Sequence, residues 1–161
     1  MTTLGTTRDR PETAPQPARR SAARQLLLAS GIVAALLYIG MIAVIRYDGY
    51  SLLSQVPSEL TAIGAPTRTL WAWLGWVYTA LVFAFGWGVW KSAGSNRPLR
   101  VVGALTLASG FLGCLWPFGP MHQREVLAAG GATLGDTIHV VLGAVTVLLF
   151  LLTVGFGAAA F

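Results

Sequence analysis

His122 and His139, the only histidines of this 161-residue sequence, lie in one polar stretch, 115–139, LWPFGPMHQREVLAAGGATLGDTIH. Asp136 stands three residues before His139, so the two share a face if that segment is helical. Arg124 lies between the histidines, and Glu59 belongs to a second polar stretch, 51–68, SLLSQVPSELTAIGAPTR. Glu59, His122, Arg124, Asp136 and His139 together form the candidate polar site. Two imidazoles with carboxylates could do two kinds of chemistry. A zinc ion held by three such ligands keeps a place for water, whose pKa falls to about 7. Alternatively, a His–carboxylate pair acts as a general base. A metal-assisted membrane hydrolase using His122, Asp136 and His139 is therefore one reading. Against it, neither H-x-x-x-H nor H-E-x-x-H spacing is present. The plainer reading makes Asp136 a helix N-cap, accepting from a backbone N–H near position 139. His139 then bonds a loop carbonyl, and Arg124 pairs with a loop acid. On that basis the expected function is non-enzymatic: a membrane protein that binds a lipid or small molecule at its polar face. No cofactor is expected, zinc being the alternative.

Those residues have to be positioned by apolar elements, because 55% hydrophobic and 11% charged is too apolar for an ordinary soluble domain. Windows 26–45, 70–90, 101–116 and 140–161 contain no Asp, Glu, Lys, Arg or His. Crossing a bilayer core of roughly 30 Å takes about 20 helical residues. Three windows reach that length, and the third does so if it starts at Pro98, a favourable first-turn residue, with Arg100 snorkelling. None alternates polar and apolar as a barrel strand must. The fold expected is an all-α, polytopic membrane bundle of four transmembrane helices, spanning about 26–45, 70–90, 98–116 and 137–157. Residues 1–25, rich in Thr, Pro, Ala and Arg, read as a disordered basic tail, and 26–161 as one transmembrane domain.

The net charge of +5 is unevenly spread. Eight of the eleven basic residues fall in the tail (Arg8, Arg10, Arg19, Arg20, Arg24) or the 91–100 loop (Lys91, Arg97, Arg100). By the positive-inside rule both termini are then cytoplasmic and the two long links face outward. The excess charge reads as topology and attraction to anionic lipid, with no nucleic-acid partner. The six tryptophans fall near expected membrane interfaces. In the first link, Leu52, Leu53, Val56, Leu60 and Ile63 recur at helical spacing, suggesting a short interfacial helix capped by Ser54 or Ser58. Cys114, alone and without a neighbouring cation, reads as a packing residue. No charged residue lies mid-span, which argues against a proton relay or voltage sensor. Partners expected are the lipid bilayer, a lipid or small-molecule ligand at the outer face and, as a further option, a second copy of the chain.

Three motifs carry a family resemblance: Y-S-x-x-S-Q-x-x-S-E-L-x-A-x-G-A-P from Tyr50 to Pro66, W-P-F-x-P-M-H-Q-R-E from Trp116 to Glu125, and D-T-x-H from Asp136 to His139. They resemble the bacterial integral-membrane family called domain of unknown function 998, over roughly residues 31–157. The resemblance implies a polytopic protein of the bacterial inner (plasma) membrane with no assigned activity. Members of that family are usually longer, often with six spans, whereas this sequence ends soon after its fourth.

Overall fold

The computed structural model of the protein describes residues 17–161, with side chains from residue 21 onward. Its long elements are α1 (Pro17–Val44), α2 (Arg68–Ser92), α3 (Arg97–Gly113) and α5 (Leu134–Ala158), with a one-turn α4 (Arg124–Ala128) before the last. Single 3₁₀ turns occupy Pro57–Thr61 and Trp116–Phe118. No strand forms among the described residues, only an isolated bridge between Ile63 and His122. Four helical stretches are long and apolar enough to cross a membrane: Ser21–Val44, Arg68–Ser92, Arg97–Phe118 and Leu134–Ala158. The chain is an all-α membrane protein.

Helix α1 begins earlier than expected. The first sixteen residues of the expected tail lie outside the described residues, but Pro17 already opens the helix, nine positions before Leu26. The reason is local. Proline suits a first helical position, and Ala-Arg-Arg-Ser-Ala-Ala-Arg-Gln contains mostly good helix formers, so propagation outward from an already formed span costs little. The opposite shift occurs in α3, which stops at Gly113 and tightens into the 3₁₀ turn around Pro117. At its start, the Asn96 side chain accepts the Leu99 N–H at 2.9 Å, and Pro98 occupies the first turn.

The spans pack in chain order, α1 on α2, α2 on α3 and α3 on α5. Glycine governs how closely α2 and α3 approach. A Cβ at Gly103 would stand 2.7 Å from the Trp90 backbone nitrogen, and one at Gly86 would stand 2.9 Å from that of Leu107. Each helix thus offers a bare patch to the other's main chain, the route to tight association where lipid removes the hydrophobic drive. The outer helices bury little. In α5 only Asp136 and Leu142 are buried, while Val140, Val141, Val147, Leu148, Phe150 and Leu151 are exposed. Large aliphatic and aromatic side chains on the outside invert the soluble-protein pattern and suit a hydrocarbon solvent.

Both long links sit at one end of the row, the cap end, where backbone Ile63 N–H donates to Met121 O at 2.7 Å. The 93–96 turn and both helix termini share the other end. There Arg24 Nε donates to Ser92 Oγ at 2.7 Å, and Asn96 Nδ2 donates to Ala160 O at 3.0 Å. The most buried apolar cluster lies under the cap. Met41 of α1, Leu60 of the first link and Trp71 of α2 pack together, with Leu60 fully buried. Trp71 therefore departs from the expected interfacial role. Its ring is 5% exposed and its Nε1–H donates to Ile45 O at 3.1 Å, closing the α1–α2 corner. Trp73 and Trp76 stay exposed beside it, as interfacial indoles do.

Candidate functional site

Leu60 fixes the first half of the site. With its side chain wedged between α1 and α2 and its carbonyl accepting Thr67 Oγ1–H at 2.7 Å, the 57–61 turn has one orientation. Residues 51–56 form turns, so the interfacial helix expected across 52–63 shrinks to Pro57–Thr61. Proline at its first position and an extended Val56 before it explain the late start. Neither Ser54 nor Ser58 caps it. Glu59 does so from inside, accepting Val56 N–H at 3.3 Å.

Glu59 is itself buried, and four donors meet its carboxylate. Arg124 binds it bidentately, Nε to Oε2 at 2.9 Å and Nη2 to Oε1 at 2.6 Å, while Gln55 Nε2 donates to Oε2 at 2.9 Å. A forked guanidinium on a carboxylate is the strongest geometry such a pair adopts. Arg124 also donates to Ser54 O at 2.5 Å, and Gln55 reaches Tyr47 Oη at 3.2 Å. The Arg124 hydrogen bonds hold the Glu59 carboxyl below its ordinary value, against burial, which pushes it up; Gln55 and the Val56 N–H add to the lowering. Reciprocally, Glu59 pushes the Arg124 guanidinium further up.

Asp136 anchors the second half. Thr133, in extended conformation, is the N-cap of α5, so Asp136 is its third helical residue and not the N-cap expected from sequence. Its Oδ2 accepts Thr133 N–H at 2.7 Å and Thr133 Oγ1–H at 2.8 Å, the backward half of a capping box. The remaining capacity goes to His122: backbone N–H to Oδ1 at 2.7 Å and ring Nδ1 to Oδ2 at 2.9 Å. Four donors converge on a group that only accepts when ionised, so the Nδ1 hydrogen of His122 is assigned by its partner. Its Nε2 takes no hydrogen bond from a described residue.

His139 stands apart. Its Nδ1–H donates to Gly119 O at 2.9 Å and its ring meets Trp116 edge-on, centroids 4.8 Å apart. Space for the 116–120 turn to lie on α5 comes from Gly119, where a Cβ would meet Ile138 Cγ2 at 2.9 Å. The five candidate residues thus resolve into an ion pair (Glu59–Arg124), a His–Asp pair (His122–Asp136) and a separate His139. Asp136 and His139, which share a helical face, turn to different partners. Among the described residues no group of three or more His, Cys, Asp or Glu is placed to hold a metal ion. A three-ligand zinc shell from His122, Asp136 and His139 has no geometric support. The chemistry open to the arrangement is that of a satisfied polar network: every buried side-chain nitrogen and oxygen among the described residues has a partner.

Three contributors escape a sequence reading that starts from carboxylates, imidazoles and cations. Gln55 is four positions before Glu59, and Thr133-x-x-Asp136 ahead of an apolar run is itself a capping-box signature. Tyr47 carries no local signal, since its role arises from the fold of the link. Beside the network, Arg46, Tyr47, Asp48, Pro66 and Thr67 line an open cleft of about 400 Å³. None of the five candidate residues lines it; Tyr47 and Gln55 connect it to Glu59. Neither Arg46 nor Asp48 is in an ion pair among the described residues.

In comparison with known proteins, the sequence model of the family described as "Protein of unknown function (DUF998)" matches residues 28–160. No curated protein and no solved structure matches the chain.

Proposed function

Because the chain belongs to the DUF998 family, whose description assigns no activity, we propose a function from the cap itself: non-enzymatic binding of a lipid headgroup or small molecule at an extracytoplasmic face. One observation carries this reading. Both buried carboxylates are saturated by protein donors, which makes the cap a rigid wall rather than a set of reactive groups, and a cleft of about 400 Å³ opens beside that wall. The cleft is open, so it suits a headgroup held at its rim by a few placed polar groups and not an enclosed ligand. Here those groups are the Arg46 cation, the Asp48 anion and the Tyr47 and Thr67 hydroxyls, a set suited to a ligand carrying both charges. The side assignment follows from charge: Arg24, Lys91, Arg97 and Arg100 are at the end opposite the cap, as the positive-inside rule asks of a cytoplasmic end. The membrane proposed is the bacterial inner membrane.

The test is thermal unfolding of purified protein in phosphatidylcholine nanodiscs. Phosphatidylethanolamine in the bilayer, or free phosphoethanolamine in solution, should raise the midpoint, and Arg46→Gln and Asp48→Asn should each abolish the rise. No response to either probe, or a response that survives both variants, would overturn the cleft as the site. Stoichiometric zinc in the purified protein, lost in both His122→Ala and His139→Ala, would instead favour a metal-assisted hydrolase.

A further inference from the structure

At the end of the bundle opposite the cap, charge is unbalanced in a way packing does not require. Arg24, Lys91, Arg97 and Arg100 all lie there and all are exposed. Each described acid, Asp48, Glu59, Glu125 and Asp136, belongs to the cap end. Two of the cations rest on indoles. Lys91 Nζ lies 4.8 Å from the centroid of the Trp87 ring, and the Arg100 guanidinium lies 5.9 Å from that of Trp90. Exposed indoles at a helix end mark headgroup depth, so these two charges are held where lipid phosphates lie and do not reach freely into water. The turn between the helices that carry them is fixed as well. Arg100 Nη2 donates to Gly94 O at 2.6 Å, Arg24 ties α1 to Ser92, and Asn96 ties the turn to Ala160. Trp90 is pressed against Gly103, which locks the α2–α3 pair at this level.

We propose that Lys91 and Arg100, seated on Trp87 and Trp90 at the α2–α3 turn, form a binding site for the headgroup of an anionic phospholipid in the leaflet opposite the cap. The phosphate and any second anionic group of the lipid meet cations that are in no ion pair among the described residues. The indoles underneath accept the first carbons of its acyl chains. Arg97, at the start of α3, touches neither indole among the contacts the structure makes and supplies only general surface charge. This proposal concerns the other end of the molecule from the cleft, and it stands or falls independently of the cap function.

The experiment uses full-length protein in phosphatidylcholine nanodiscs with an increasing mole fraction of phosphatidylglycerol, read as the rise in unfolding midpoint and its half-saturation point. A cation near the surface strengthens anionic-lipid binding about fivefold. Arg97→Gln, which removes general surface charge alone, should therefore move half-saturation upward by no more than about fivefold. Lys91→Gln and Arg100→Gln, which also remove a charge seated on an indole, should each move it clearly further. Lys91→Arg and Arg100→Lys, which keep the charge, should retain wild-type half-saturation and guard against misfolding of the glutamine variants. Inorganic phosphate added to protein in a neutral detergent should leave the midpoint unchanged. No response to phosphatidylglycerol would overturn the site. So would equal shifts in all three glutamine variants, which would mark diffuse attraction, or loss of response in the charge-keeping variants.

Discussion

Glu59 and Arg124 are sixty-five positions apart in sequence, and their forked contact is what joins the two links at side-chain level. Removing one partner strands the other, whereas removing both removes the mismatch. Glu59→Gln and Arg124→Gln should each lower the unfolding midpoint, and the double variant should lose clearly less than the sum, measured by a thermal double-mutant cycle. The pair also sets a pH response. With its folded pKa below the ordinary 4.5, Glu59 contributes stability that is fully present above that value and is lost as pH falls through the depressed folded value. The midpoint of wild type should hold steady from neutral pH to about 5 and drop below about 4, and the drop should be shallower in Glu59→Gln. Part of this was legible in the sequence. A carboxylate partner for Arg124 could come only from the loop acids, since the four uncharged windows carry none. Choosing Glu59 over Asp48 required the wedge at Leu60, because burial decides which acid is turned inward. The pairing of His122 with Asp136 was hidden for a different reason: helical spacing points from Asp136 to His139, and only the course of the 116–122 turn brings the other imidazole to the same carboxylate.

Four spans could be counted from windows of uncharged residues, since a bilayer forbids charge more strictly than a soluble core does. Their ends could not be placed, because capping is settled by a few hydrogen bonds at the rim: the Thr133–Asp136 box starts α5 at Leu134, and good helix formers carry α1 back to Pro17. Helix proximity was invisible too, as a glycine in a span has the same hydropathy whether it meets backbone or lipid. The structure separates the two cases. Gly103→Ala should force α2 and α3 apart and cost about 1–3 kcal/mol, an overpacking penalty. Gly143, with nothing within 4 Å of an added Cβ, should accept alanine at no cost or gain up to about 1 kcal/mol through helix propensity. Steric-trap unfolding in bicelles measures both. The wedge under the cap belongs to this scale as well, and Leu60→Ala should destabilise by about 2–5 kcal/mol by the same assay.

For the molecule as a whole, the decisive arrangement is that both links share one end while the 93–96 turn and the helix termini share the other. In a cysteine-free background made with Cys114→Ser, single cysteines at Leu53 and Ala132, both exposed, should react with a membrane-impermeant maleimide from the same side, and one at Ser95 from the opposite side. Labelling at Leu53 and Ala132 from different sides would contradict the fold. The row of spans has a temporal consequence. Ile63 is tied to Met121, and His122 to Asp136, so the second link is secured through a residue that leaves the ribosome after it. Until the last helix threads the bilayer, His122 has no carboxylate and Gly119 no imidazole to hold. A nascent chain arrested before Leu134 should therefore show the second link open to added protease while the first, already wedged by Leu60 between α1 and α2, is protected, and release of the remaining residues should close the second.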